Sequence, residues 1–133
     1  MPSPRPITPG LFTTTDDGPR LIGARCAACA RLQFPATSSC PYCGRDGCRE
    51  ELLGPHATLF LFTTIASRPP GYRGPLPYGF GVVELAEGLR VVTRLAEASS
   101  AAWRVGLPMR LVVAPLDDDD DGTPVLSYAF SSA

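Results

Sequence analysis

The sequence contains no lysine, since all 12 of its basic residues are arginine. Without lysine the chain cannot form a Schiff base with a carbonyl substrate, and it cannot build a P-loop, which needs a lysine for its phosphates. It also has a single histidine, His56, and its Glu84, Glu87 and Glu97 are scattered along the chain. No complete nucleophile–base or acid–base set is visible. These shortages argue against an enzyme that works alone.

Long hydrophobic runs and excess charge are absent too. No stretch approaches the roughly 20 apolar residues that span a bilayer, and the start, MPSPRPITPG, lacks the apolar segment of a signal peptide. The formal net charge of −1 gives no global field that would attract nucleic acid or an anionic membrane. We therefore expect a cytoplasmic protein with no membrane partner, for which nucleic acid is an unfavoured ligand.

What the chain does have is turn-forming residues and enough apolar ones for a core. Its 133 residues are 44% hydrophobic and include 15 Pro and 13 Gly, which indicates short strands, many turns and one compact core with an appendage. We predict an extended N-terminal arm at residues 1–19, which carries five prolines and a Thr–Asp–Gly turn cluster, a zinc ribbon at 20–54 and a β-barrel domain at 55–133.

Two CxxC pairs separated by ten residues carry the strongest chemical signal. The four cysteines are Cys26, Cys29, Cys40 and Cys43. The two-residue spacer lets both sulfurs of a pair bind one ion, and four thiolates close a tetrahedral shell around zinc at about 2.3 Å each. Such a shell leaves no open coordination position, so we predict a structural zinc ion. An iron–sulfur site and four unrelated core cysteines are the alternatives.

Two residues that follow the second CxxC pair, Gly44 and Cys48, also have predicted roles. Gly44 directly follows the second pair and should adopt the left-handed backbone that turns amides toward the sulfurs. Cys48 is the fifth cysteine, five residues further on, and we expect it to be a partly buried spare and not a ligand.

The rest of the chain reads as strands. Five segments rich in β-branched and aromatic residues are bounded by Gly, Pro or Asp, at 58–65, 79–85, 89–95, 109–114 and 125–130. The short loop at 86–88 predicts an antiparallel hairpin, and residues 97–105, followed by Gly106, are the only plausible helical segment. One small helix among five strands indicates an OB-fold barrel, with an undefined small barrel or sandwich as the alternative.

Two connections between these strands stand out. The run Asp117–Asp121 before Gly122 predicts a solvated turn, because adjacent carboxylates repel and an EF-hand spacing is missing. The longer segment 66–78, ASRPPGYRGPLPY, joins the first two barrel strands, and in an OB-fold this loop flanks the ligand-binding face. Its guanidinium and aromatic groups, which suit phosphate and a flat base, are Arg68, Tyr72, Arg73 and Tyr78. A proline-stiffened surface loop is the alternative.

The order of these pieces resembles a known family, the zinc-ribbon and OB-fold proteins of domain of unknown function 35. The resemblance covers about residues 20–130 and rests on LIGARCAAC, FP, CPYCG, TLFLFTTI, PYGFGVVEL, EGLRVVTRL, VGLPMRLVV and the closing YAF. The first knuckle has Ala30 where the family often has Gly. The helix that many members place before the ribbon is not evident here.

The resemblance implies a role as well as a fold. Members act as partner subunits of thiolase-fold or lipid-transfer-protein-like enzymes that make or break carbon–carbon bonds in acyl-CoA, in hetero-oligomers whose catalytic residues lie on the other chain. Some are similar to subunits of benzoylsuccinyl-CoA thiolase or of steroid side-chain aldolases. We therefore expect a non-catalytic accessory subunit that helps bind a CoA thioester. The alternatives are a nucleic-acid-binding module, since both folds often bind nucleic acid, and a stand-alone acyl-CoA enzyme.

Overall fold

The computed structural model describes residues 5–118 and 122–133, and over those residues it consists of β-strands joined by turns and loops. The strands are β1 (Arg5–Pro6), β2 (Phe12–Thr15), β3 (Gly18–Cys26), β4 (Leu32–Gln33), β5 (Cys48–Leu53), β6 (His56–Ile65), β7 (Tyr78–Leu85), β8 (Arg90–Leu95), β9 (Pro108–Asp118) and β10 (Pro124–Ser132). Within the described residues, no helix is long and apolar enough to cross a membrane.

The last five strands close a barrel, which confirms the predicted OB-fold. Their order is β6–β7–β8–β10–β9, and β9 returns to pair with β6. All of these pairings are antiparallel except that of β8 with β10, which are parallel, and β1 adds a short parallel pairing on β10. The hairpin between β7 and β8 forms as predicted, with Gly88 at φ 94° in its loop.

The N-terminal sheet forms the ribbon. β3 pairs antiparallel with β2, β4 and β5, so that the cysteine-bearing turns lie at one end of β3. Gly23 lies where β3 passes close to its neighbours, because a Cβ there would meet a Leu53 side-chain carbon at 2.5 Å and the Gln33 carbonyl oxygen at 2.7 Å. Only glycine fits this crossing without a shift of the strands.

One hydrophobic core runs through both sheets. Alternation along β7 buries Val83 and Leu85, and β10 contributes Phe130, whose side chain has no exposed surface. Leu21 and Leu53 of the N-terminal sheet are equally buried and belong to the same cluster. The base of the ribbon, which contains Leu21 and Leu53, is therefore packed on the barrel by apolar contacts.

One expectation of local structure was wrong. Residues 97–105 form bends and turns and contain no helix. The cause is local, since the Ser100 hydroxyl accepts a hydrogen bond from the Ala102 amide at 3.0 Å and the Ser100 carbonyl accepts one from the Trp103 amide at 3.2 Å. Serine side chains of this kind compete with the helical hydrogen-bond pattern.

Two predicted loop segments lie partly outside the described residues. Of the predicted N-terminal arm, residues 1–4 are outside, and residues 5–6 and 12–15 are β1 and β2. Of the acidic run, residues 119–121 are outside. β9 extends to Asp118, further than the segment that was predicted to end at residue 114.

Candidate metal centre and ligand-binding loop

Two turns of the same design hold the four cysteines. In the first, the Ala30 amide donates to the Cys26 carbonyl at 2.9 Å, and in the second, the Gly44 amide donates to the Cys40 carbonyl at 2.9 Å. The residue that ends each turn has positive φ, 64° at Ala30 and 79° at Gly44. The left-handed backbone predicted at Gly44 is confirmed, and Ala30 adopts it in spite of its Cβ.

The two turns bring four sulfur atoms into one cluster. The Sγ atoms of Cys26 and Cys43 are 3.7 Å apart and those of Cys29 and Cys40 are 3.6 Å apart, and all four lie within 4.8 Å of one another. A tetrahedron of thiolates about 2.3 Å from zinc has sulfur–sulfur edges of about 3.8 Å. The four-sulfur donor set and its spacing therefore fit a zinc ion, and they leave no coordination position for a substrate.

Backbone amides favour the thiolate form of Cys26 and Cys40. The Cys29 amide, with a smaller contribution from the Ala28 amide, donates to the Cys26 sulfur and lowers the pKa of that thiol to about 6. Burial raises the pKa of Cys40, but hydrogen bonds from the Cys43 and Tyr42 amides outweigh it and the net shift is downward. A zinc ligand must be deprotonated, so these amides prepare Cys26 and Cys40 for metal, whereas burial and the neighbouring Cys40 and Cys26 thiols raise the pKa of Cys29 to about 11.

The remaining cysteine lies beside the cluster and outside it. Cys48 pairs with Cys26 across β3 and β5 but does not belong to the four-sulfur group. Desolvation raises the pKa of its thiol, as does the nearby Cys26. Among the described residues, the four-sulfur group is the only set of three or more His, Cys, Asp or Glu side chains placed to share a metal ion.

The long loop between β6 and β7 is held by its own hydrogen bonds. The Arg68 guanidinium donates to the carbonyls of Tyr72 at 3.1 Å and Gly74 at 3.0 Å, and the Tyr72 hydroxyl donates to the Pro75 carbonyl at 2.8 Å. The rings of Tyr72 and Tyr78 are 5.1 Å apart. Arg68 is therefore committed to shaping the loop.

The structure brings three of the four predicted loop residues together and adds one that was not predicted. Arg94 of β8 lies over the Tyr78 ring at 4.1 Å and the Tyr72 ring at 5.5 Å, while Arg68 lies 5.7 Å from the Tyr72 ring centre. Arg73 is an exposed residue of the same loop. The sequence analysis missed Arg94, although the alternation of RVVTRL, which turns Val91 and Thr93 inward, is a signal that could have placed Arg94 on the outer face.

Comparison with known proteins follows the same division of the chain. A family model described as the ChsH2 rubredoxin-like zinc ribbon domain matches residues 18–49, and one described as the ChsH2 C-terminal OB-fold domain matches residues 50–114. The ribbon match and the four-cysteine cluster together support a structural zinc.

Three relatives show what the chain is similar to. A benzoylsuccinyl-CoA thiolase subunit BbsA from Thauera aromatica is 33% identical over 92% of this chain and 84% of its own length. A DUF35 domain-containing scaffold protein from Methanothermobacter thermautotrophicus is 29% identical over 83% of each chain. A solved structure described as an Ltp2-ChsH2(DUF35) aldolase superimposes with a TM-score of 0.66 at 26% identity, covering 85% of this chain and 84% of that one.

Proposed function

The chain belongs to the DUF35 family of zinc-ribbon and OB-fold proteins, and from this premise we propose that it is a non-catalytic accessory subunit of a thiolase-like enzyme. The enzyme would form or cleave carbon–carbon bonds in acyl-CoA substrates, with the catalytic residues on the partner chain. This chain would dock on a thiolase-fold protein and help to bind the CoA thioester.

The observation that carries the proposal is the extent of the similarity to a thiolase subunit. The match to BbsA covers 92% of this chain and 84% of the relative, so it includes both the ribbon and the barrel. The Methanothermobacter relative is described as a scaffold protein, and the solved structure is described as an Ltp2-ChsH2(DUF35) aldolase. These descriptions support a partner role and not independent catalysis.

The proposal assigns the metal a structural task. Zinc would be held by Cys26, Cys29, Cys40 and Cys43, and four thiolates would leave it no position for a substrate. Its chemistry here is to cross-link the two turns, which otherwise bury little apolar surface. The division into an arm at 1–19, a ribbon at 20–54 and a barrel at 55–133 is part of the same proposal. The family matches support two modules, and they meet between residues 49 and 50, five residues before the proposed boundary.

The test of the accessory role is association. The chain and each thiolase-fold protein of its source organism, purified singly, are mixed and sedimented by analytical ultracentrifugation. One of them should form a stable complex with an interface of at least about 1,000 Å². If none associates and the chain instead retains single-stranded nucleic acid, the nucleic-acid-binding alternative replaces the proposal.

The loop between β6 and β7 is the proposed CoA contact. The proposed contact residues are Arg68, Tyr72 and Arg73 of the loop and Tyr78, the first residue of β7. The complex is titrated with CoA, first with the parent chain and then with Arg73→Ala, which changes an exposed residue of the loop. We expect Arg68→Ala to weaken binding as well, through disorder of the loop that its two hydrogen bonds hold. If both variants bind CoA as tightly as the parent, the loop has another task.

A further inference from the structure

The outer face of β6, β7 and β8 carries a row of aliphatic side chains. Leu61 is opposite Val82, and Val82 is opposite Val92, so the three lie side by side across the strands. The flanking Val83, Val91 and Thr93 point into the barrel, which turns this aliphatic row outward. Leu61 is 55% exposed and Val92 is 56% exposed, which is unusual for aliphatic side chains at the centre of a sheet.

Charged rows border the aliphatic row on both sides. Two residues along the strands, and so on the same face, Glu84 is opposite Arg90, and two residues in the other direction Phe80 is opposite Arg94. The Arg90 guanidinium lies 3.9 Å from the centre of the Phe60 ring and donates to Glu84 at 3.4 Å. The centre of the face is therefore apolar and both of its borders carry arginine.

The aromatic rings also restrain these arginines. Arg94 stacks 4.1 Å from the Tyr78 ring centre and donates to the Tyr72 hydroxyl at 3.4 Å. A guanidinium that is already placed loses less conformational freedom when it binds a carboxylate. An apolar centre with arginine and aromatic residues around it is the composition of energetically important protein interfaces.

The same stacking disfavours nucleic acid on this face. A sequence-tolerant single-strand binder needs free aromatic rings on which bases stack, together with a cationic groove. Here arginines cover the rings of Phe60 and Tyr78, and the exposed groups between them are the aliphatic Leu61 and Val92. With a net charge of −1 the chain supplies no broad positive field.

We propose that the aliphatic row of Leu61, Val82 and Val92, with Arg90 and Arg94 at its borders, is the surface that docks on the thiolase-fold partner. This inference rests on the proposed accessory role and names the part of the chain that performs it. The partner presents an apolar patch to the row and carboxylates to the arginines, of which Arg94 has no carboxylate opposite it in the sheet register. The long loop that carries Tyr72 borders the same face, so docking places the loop at the subunit boundary.

The test compares exposed aliphatic positions on the two sheets. Val92→Asp puts a carboxylate at the centre of the proposed surface, whereas Leu52→Asp makes the same change on β5, where the side chain is 47% exposed. Affinity of each for the purified thiolase-fold partner that binds the parent is measured by interferometry. We expect the affinity for the partner to fall at least about 30-fold in Val92→Asp and less than about 3-fold in Leu52→Asp.

Fold and function are controlled separately. Each free variant should melt within about 2 °C of the parent, because the substituted side chains are exposed. Leu61→Asp, on β6 at the opposite end of the aliphatic row, repeats the test should Val92→Asp not fold. Parent-like affinity in both Val92→Asp and Leu61→Asp, or an equal loss in Leu52→Asp, would overturn the assignment of this face while leaving the accessory role intact.

Two outcomes concern the wider account. If the parent itself binds no thiolase-fold protein of its source organism, the accessory role fails and the docking surface fails with it. If the parent binds a single-stranded oligonucleotide and Val92→Asp abolishes that binding, the face belongs to nucleic acid and the proposal is wrong.

Discussion

The turns that hold the cysteines and the barrel are stabilised in different ways. From residue 35 to residue 47 the ribbon buries only Cys40, whereas the barrel encloses Leu59, Val83, Leu95 and Phe130 in a continuous core. The part that is stabilised by apolar burial extends beyond the barrel, because Leu21 and Leu53 of the N-terminal sheet pack into the barrel core. Metal binding therefore stabilises the two cysteine-bearing turns, and apolar burial stabilises the base of the ribbon.

The largest expected effect is that of removing one zinc ligand, which should affect the cysteine-bearing turns and not the barrel. Cys40→Ser or Cys43→Ser removes one ligand, and because metal binding supplies folding free energy to small modules, the turns should lose zinc and order while the barrel stays folded. The zinc content measured by elemental analysis should fall from one ion per chain to near zero. Hydrogen exchange should become fast over residues 26–48 and stay slow over 78–95.

Cys48→Ser is the matched control, since Cys48 neighbours Cys26 but lies outside the four-sulfur group. It should keep one zinc per chain. Unchanged zinc content in Cys43→Ser, or iron in place of zinc in the parent, would contradict the metal assignment.

The next prediction tests whether the base of the ribbon belongs to the barrel. Leu53→Ala should lower the free energy of unfolding of the whole chain by about 2–5 kcal/mol, because its fully buried side chain leaves a cavity in the shared core. The adjacent Leu52, which is 47% exposed, is the control. Leu52→Ala should change the free energy of unfolding by less than about 0.5 kcal/mol. Urea unfolding followed by Trp103 fluorescence measures both. Barrel stability that is unaffected by Leu53→Ala would mean two independent units.

A smaller effect is expected where the ribbon contacts the barrel surface. The Phe34 ring meets the Tyr128 ring edge-on at 5.3 Å, and the Tyr128 hydroxyl donates to the Val92 carbonyl at 3.1 Å. Burial raises the pKa of this phenol, as expected for a hydroxyl held away from water. Tyr128→Phe should cost about 0.5–1.5 kcal/mol, the typical value of one hydrogen bond. A separate double-mutant cycle of Phe34→Leu with Tyr128→Leu, which removes the second ring, should show coupling between the two positions, and its absence would mean that the rings do not position the ribbon.

The smallest effect distinguishes the two turns from each other. Ala30→Gly removes the steric cost of positive φ and should raise stability by up to about 1 kcal/mol, whereas Gly44→Ala should lower it by a similar amount. A Cβ at Gly44 would have no heavy atom within 4 Å, so its cost comes from the backbone alone. Thermal unfolding of the zinc-loaded variants provides the comparison. A loss of stability in Ala30→Gly would contradict this explanation.

The sequence predicted what depends on local pattern. Five barrel strands were placed within a few residues of their ends, except that β9 extends to Asp118, and Gly88 and Gly44 have the backbone that their turns require. The CxxC spacing identified four sulfurs that the fold brings within 4.8 Å of one another. Each of these signals lies in a short stretch of chain, where periodicity and turn chemistry act.

What the sequence did not predict depends on remote pairing or on competition between local options. β5 was missed because CREELL lacks the β-branched residues of a typical strand, and its pairing with β3 supplies the missing preference. Arg94 was overlooked as a neighbour of Tyr78 because the two meet only when β7 and β8 pair. The false helix at 97–105 was predicted with Gly106 as its C-terminal stop, whereas the hydrogen bonds of Ser100 determined the turns.

The central claim is that the chain contributes to carbon–carbon bond chemistry only through a partner. The most direct measurement is steady-state acyl-CoA cleavage by the thiolase-fold partner at fixed concentration while the purified chain is titrated in. The account predicts no turnover by the chain alone and a rate that rises and saturates at a fixed ratio of the two proteins. Turnover by the isolated chain, or a partner rate that is unchanged at saturating chain, would contradict it.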